Sequence, residues 1–496
     1  MPRTLQSYKV LIGLEIHVQL ATATKMFTGA ANGATNFGAE PNSLVDEVVL
    51  GLPGTLPVMN KKAVESSIMV GLALGCQIAR HTKWDRKSYY YPDLPKNYQI
   101  SQYDLPLCGE GVFQLSPTKS IRIRRAHLEE DAGKLLHEAP GGHAIHNTIV
   151  DLNRAGTPLL EIVTEPDFTT PQEVAAFGQE LQKLVQFLGV SEGQMQMGHM
   201  RFEPNINLHI TDGDRNIHKT AITEIKNLNS FSVLERATDY EIRRQLGHWQ
   251  ETSDAEEALG KKATYGWDEV TQSTYFQRPK EDAHDYRYFP DPDLVPVEVS
   301  DTWLTELKSR IGELPAARLK RYTDALGLAP AEVAILAGDR ATGDLLDRAI
   351  SAGANPKRAA NLLLSHGRRI ANERNLPLGQ LGLLPERLAE VAKLVDENKL
   401  AASEPAGKLI ERLIEAGIPN STTAEQIATE LGLLQSTDLG PVDTAIDALI
   451  AANPKPLAEY KAGKQQALGA LVGMVMKSAK GLSAKIVQER LKERLS

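Results

Sequence analysis

The sequence predicts an α+β protein: a large N-terminal domain on an antiparallel sheet, then an all-α middle domain and a small all-α C-terminal tail domain. Three observations predict this. Before about residue 300, "KVLIGLEIHVQL", "SIRIRRAHLEED", "MRFEPNINLHI" and "TAITEIKNL" alternate with the period of two that marks half-buried strands. Beyond it, "DTWLTELKSRIGELPAARLKRYTDALGL" and "PAEVAILAGDRATGDLLDRAI" repeat apolar residues at helical spacing. The end is basic: residues 454–496 carry nine Lys and Arg against three Glu, a net +6, on a chain whose overall charge is −8.

The first strand runs from Lys9 to Leu20. Val10, Ile12, Leu14, Ile16, Val18 and Leu20 make an unbroken aliphatic face, and Glu15, His17 and Gln19 share the other. A helix is predicted over about Lys61–Leu74. A second starts at the cap Thr170, with Pro171 in the first turn and Glu173 where a capping box needs its acid, and closes at Gly189. These two helices interrupt the strands. In "SIRIRRAHLEEDAGK", His127, Glu129 and Asp131 share one face, with Arg124 and Glu130 on the other. In "MRFEPNINLHI", Arg201, Glu203 and Asn205 lie opposite Met200, Phe202 and Ile206, and further on Glu224 and Lys226 share a side. "LAP" and "GANP" break the helical run, and "ASEPAGK" (402–408) separates a last helical unit. The expected domains are 1–295, 296–405 and 406–496.

Composition narrows the class. With 496 residues, 42% hydrophobic and 24% charged, the chain reads as soluble, globular and multidomain. No apolar run reaches the length of a membrane span, and "MPRTLQSYKV" lacks the apolar core of a secretory signal, so a cytoplasmic protein away from membranes is expected. Cys76 and Cys108 give neither a disulfide framework nor a metal knuckle.

Several acid-bearing strands in one domain suggest polar faces that converge. Carboxylates with an imidazole and no thiolate select a hard cation such as Mg²⁺ over Zn²⁺, and the same residues also read as cross-strand ion pairs on a wet sheet. The segment His81–Leu107 holds five of the thirteen tyrosines beside Lys83, Arg86, Lys87 and Lys96, a pairing suited either to stacking on a base near phosphates or to local packing. "DYRYFPDPDLVP" (285–296) repeats the flavour. No GxxxxGK[ST] loop is present, which excludes an ordinary P-loop, and the GxSxG elbow and the glycine–serine pattern of an amidase nucleophile are also missing.

In order along the chain, "GLEIHVQL", "KSYYYPDLPKNYQISQYD", "HLEEDAGK", "DLNRAGTPLLEIVTEPD", "EIKNLNSF" and "DYRYFPDPDLVP" resemble the signature stretches of the B subunit of the tRNA-dependent amidotransferase, and the resemblance continues through "GKQQALGALVGMVMKSAKG". It implies a ligase subunit working in a heterotrimer with an amidase (the A subunit) and a small C subunit. With ATP and Mg²⁺ such a subunit phosphorylates the side-chain carboxylate of Glu on tRNA(Gln) or Asp on tRNA(Asn), and ammonia freed from glutamine by the amidase then forms the amide. A non-catalytic tRNA-binding scaffold in the same complex is the alternative. Carried over by motif, the metal ligands are Glu15, His17, Glu130, Glu203 and Glu224, and the catalytic residues are Lys87 and Glu130. The basic tail, with Lys464, Lys477 and Lys480, is expected to hold the tRNA body. Two departures stand out. Where the family often has Asp in an "RCD" context this chain has Glu203 in "RFEPN", and the four-cysteine zinc knuckle of some members is replaced by "FGAEPNSLVDEVVLGLPG", so no zinc is expected.

Overall fold

Strand Leu5–Gln19 is the axis of the molecule's largest sheet. Its aliphatic face is shut away, with Ile12, Ile16, Val18 and Leu20 fully buried. The computed structural model describes residues 3–139, 143–252, 254–279, 286–415, 418–419, 421–435, 439–452, 466–478 and 484–495. The chain divides into two compact units, Met1–Leu314 and Pro315–Ser496.

In the first unit, eight strands follow one another across a nine-stranded sheet: Ser273–Pro279, Ala263–Asp268, Thr223–Lys226, Met200–Asp212, Leu5–Gln19, Pro158–Thr164, Lys119–Glu130 and Gly111–Ser116. The short strand Ile217–Lys219 also pairs with Met200–Asp212. All neighbours are antiparallel except Thr223–Lys226 and Ala263–Asp268, which run parallel. That pair needs a crossover, and helix Phe231–Glu251 supplies it. The sequence reading missed this helix and counted two before residue 300. Its buried stripe includes Thr238, Glu241 and Gln245, so the apolar period is diluted by polar residues.

Helix Lys61–Ala73 starts at its cap Asn60, and helix Pro171–Phe187 at its cap Thr170. Thr170 accepts from the Glu173 amide, but the Glu173 carboxylate reaches the Thr169 amide at 2.7 Å rather than closing the box on Thr170. Gly189, at φ +65°, ends that helix in a conformation that suits glycine. Helix Asp301–Ile311 belongs to this unit too, with Arg310 ion-paired to Glu65 at 2.9 Å. The regular elements described in the second unit are helices. They bury one apolar cluster around Tyr322, Leu346 and Leu388, and another around Ile446, Leu471, Val475 and Val487.

Candidate active site

The pairing register builds the site. In an antiparallel sheet, directly opposed residues share a face. Across four adjacent strands Arg201 stands opposite His17, His17 opposite Glu161, and Glu161 opposite His127. In the next row on that face Glu203 stands opposite Glu15, and in the row beyond it Asn205 stands between Gly13 and Glu224. The apolar partners Phe202, Ile16, Ile162 and Ala126 occupy the other face in the same order. One face therefore makes core while its reverse collects carboxylates and imidazoles.

The side chains converge into three groups, each with its ligand-type atoms within 4.8 Å of one another: Glu15, His17 and Glu161; His127, Glu129 and Glu161; and Glu15, Glu203 and Glu224. His17 Nε2 lies 3.5 Å from Glu161 and 3.9 Å from Glu129, and its Nδ1 lies 4.0 Å from Glu203. Among the described residues, the buried Nδ1 atoms of His17 and His127 have no hydrogen-bond partner. Such groups are costly unless a ligand completes them. The donor set, several carboxylate oxygens with imidazole nitrogen and no sulfur, fits a hard divalent cation.

A cavity of about 1030 Å³ opens over this face, lined also by Lys87, Arg125, Lys226, Arg278 and Arg287. Its mouth is tyrosine-rich. Tyr103 and Tyr288 stack at 4.4 Å, Lys87 Nζ lies 4.8 Å from the Tyr286 ring, and Arg287 lies 5.5 Å from the Tyr90 ring. The site is thus a floor of carboxylates under a rim of cations and flat aromatic rings.

Charges within the site are strongly coupled. Burial works against a charged His17, yet the hydrogen bond to Glu161 and the Glu203 and Glu161 charges raise its pKa to about 9. His127 goes the other way, to about 4, through burial and then the neighbouring Arg125 and Lys87 cations, with Glu161 opposing. Burial also opposes the Lys87 charge, but Glu129, Tyr288 and Glu161 hold it above the ordinary lysine range. Glu129 is pushed up by burial and by Glu161. Glu161 falls well below the carboxylate range, because the imidazoles and Lys87 outweigh its burial. On the same face beside the site, Asp131, just past strand Lys119–Glu130, accepts from Gln19 at 2.8 Å and from both Arg201 terminal nitrogens at 2.9 and 3.1 Å.

Of the residues expected from sequence, Glu15, His17, Glu224 and Lys87 line this cavity, and Glu203 joins Glu15 and Glu224 in one group. Glu130 does not. It stands opposite Pro158 on the reverse face, where its carboxylate pairs with Lys96 and accepts from the Ile100 amide at 3.0 Å. Strand alternation is the reason: Glu129, one residue earlier, points into the cluster and Glu130 away from it. The sequence reading also passed over Glu161, although it is the lone charge in the apolar strand "PLLEIVT". In the tail, Lys464 and Lys480 lie outside the described residues, and for Lys477 only the backbone is described.

Two family models match the chain: the GatB/GatE catalytic domain over residues 10–305, and the GatB domain over residues 344–495. Among curated relatives, the chain is 41% identical to the aspartyl/glutamyl-tRNA(Asn/Gln) amidotransferase B subunit of Carboxydothermus hydrogenoformans, covering 99% of this chain and 100% of the relative. The protein of the same name from Moorella thermoacetica is 41% identical over 98% of this chain and 100% of its own length. That from Thermosynechococcus vestitus is 42% identical over 99% and 97%.

Proposed function

The chain belongs to the family of B subunits of the aspartyl/glutamyl-tRNA(Asn/Gln) amidotransferases, and from that premise we propose that its sheet cavity phosphorylates a carboxylate carried on tRNA. The complex of this family is a glutamine-hydrolysing ligase, and this chain is its B subunit. In our reading ATP supplies the γ-phosphoryl group, and the side chain of Glu on tRNA(Gln) or Asp on tRNA(Asn) accepts it. Ammonia from a partner amidase then attacks the acyl phosphate, forming the amide and releasing inorganic phosphate. The assembly is completed by a small third subunit.

One observation carries this reading: carboxylate and imidazole groups from adjacent strands converge beneath a cationic, tyrosine-rimmed cavity. Attack of a carboxylate on a phosphate brings anions together, and the barrier is mostly electrostatic. Glu15, His17, Glu129, Glu161, Glu203 and Glu224 would hold Mg²⁺, which would supply positive charge against the anions brought together there. Lys87, held protonated, meets charge developing on the transferred group. Tyr103 and Tyr288 offer a flat platform for a base. The helical remainder of the chain holds the tRNA body.

The test is a reconstituted complex supplied with each misacylated tRNA, ATP and free ammonia. Glu161→Gln is expected to lower amide formation about 10²–10³-fold while glutamine hydrolysis and tRNA binding persist. Amide formation near the unmodified rate would make the chain a scaffold instead.

A further inference from the structure

The two ends of the acidic cluster differ in one respect. Among the described residues no ion pair joins Lys87 to a carboxylate around His17, Glu129 and Glu161. Around Glu15, Glu203 and Glu224 a cation is already seated: Lys226 Nζ donates to Glu203 Oε2 at 2.6 Å and lies 3.8 Å from Glu224 Oε2. We propose that Lys226 is the resident counter-cation of this second group, that a divalent ion entering it displaces the ammonium, and that the displaced ammonium then meets the nucleotide phosphates. This rests on the cavity being a metal–nucleotide site.

The geometry makes the two cations exclusive. The three carboxylates present oxygens within 4.8 Å of one another. A divalent ion drawn in among them would compete for the space beside Glu203 and Glu224 that the ammonium already takes, 2.6 Å from one carboxylate oxygen and 3.8 Å from the other. Two positive charges at that separation repel strongly in a partly buried site. Lys226 is also able to leave. It is the last residue of strand Thr223–Lys226, it is followed by Asn227 at φ +67°, and its side chain is 31% exposed, compared with 11% for Glu203 beside it. Its four-carbon stem lines the same cavity as Arg278 and Lys87, so a small swing carries the ammonium over the space a polyphosphate would fill.

Loading of the second ion and binding of nucleotide are therefore coupled. Without nucleotide the second group takes an ion only against Lys226. With nucleotide present the phosphates offer the ammonium a new partner, and each ligand favours the other by the same factor.

The experiment is a Mn²⁺ titration of the full-length chain, read by the free-ion electron paramagnetic resonance signal, together with binding of a non-hydrolysable ATP analogue. The unmodified chain is expected to show one strong ion and a second, weaker one. Lys226→Met should tighten the second ion roughly tenfold or more by removing the competing charge, and weaken the analogue by a similar factor. Lys226→Arg, which keeps the charge, should behave like the unmodified chain, and matched melting temperatures establish that all three are folded. An isotherm unchanged in Lys226→Met, or one in which Mn²⁺ and analogue both tighten, overturns the proposal while leaving the metal site standing. No Mn²⁺ uptake by the unmodified chain removes the metal reading and this proposal together.

Discussion

At the scale of single residues, side-chain parity decides the chemistry. The motif "HLEED" offers adjacent carboxylates, and motif matching favours Glu130, whereas strand alternation sets Glu129 beside His127. The fold follows the alternation. Glu129→Gln is accordingly expected to slow ammonia-dependent amide formation about 10²–10³-fold at little cost in stability. Glu130→Gln should keep Mn²⁺ uptake but leave the Lys96 charge buried and uncompensated, costing about 3–5 kcal/mol. Denaturant unfolding and Mn²⁺ titration of both variants check this, and loss of Mn²⁺ uptake in Glu130→Gln would return Glu130 to the cluster. A second buried cation gives a pH signature. Lys25 is fully buried, with its ammonium 3.3 Å from the Leu152 carbonyl. Burial lowers its pKa to about 8, against support from Asp46, Glu130 and Asp151. The unfolded chain then binds more protons than the native one between pH 8 and about 10.5, so this group adds stability as pH rises through that window. Lys25→Met should be the more stable protein at pH 7, by up to about 3 kcal/mol, with the advantage shrinking toward pH 10. A gap that stays constant with pH would show that Lys25 carries no such penalty.

At the scale of elements, what was legible in the sequence tracks how cleanly each element separates polar from apolar. Residues 10–19 of strand Leu5–Gln19 and 200–210 of strand Met200–Asp212 each keep an unbroken apolar face, so both the strands and their acidic faces are readable in advance. Helix Pro171–Phe187 announces itself by its cap and its proline. Helix Phe231–Glu251 buries Glu241 and Gln245 in place of apolar residues, bonded to Arg244, Thr220 and the Ile206 carbonyl, and so hides its period. Missing it also hid the parallel pair, because the two are one crossover unit. This helix returns the chain beside the strand that carries Glu224 and Lys226, so its start matters to the site. Ser230 caps it by accepting from the Val233 amide at 3.2 Å. Ser230→Ala should cost about 1 kcal/mol in chemical denaturation, with metal uptake unchanged, since the cap touches none of the carboxylates. A neutral substitution would mean that tertiary packing alone fixes the start of the helix.

At the scale of the whole molecule, the opposition between an acidic body and a basic end was legible as a count but not as a disposition. The +6 of residues 454–496 includes arginines that are already engaged. Arg490 grips Asp443 through two nitrogens at 3.0 and 2.6 Å, and Arg494 bonds Asp447 at 2.9 Å. These pairs join helix Ala484–Leu495 to helix Leu439–Ala452 over the core of Ile446, Val487 and Leu491. Sequence counting cannot separate such structural cations from free ones, because the acids that neutralise them lie outside the counted segment. The proposed tRNA contact therefore falls to the lysines, and arginine and lysine variants should fail in different ways. Arg490→Ala is expected to loosen the terminal helices, seen as faster hydrogen exchange there, without changing how tRNA affinity depends on salt. Alanine at Lys464, Lys477 or Lys480 should leave that exchange unchanged and flatten the dependence of log affinity on log salt, by about 0.7–0.9 for each phosphate no longer neutralised. Equal salt slopes in all four variants would mean that this end of the chain meets no phosphate, and the tRNA would then have to be held by other surfaces.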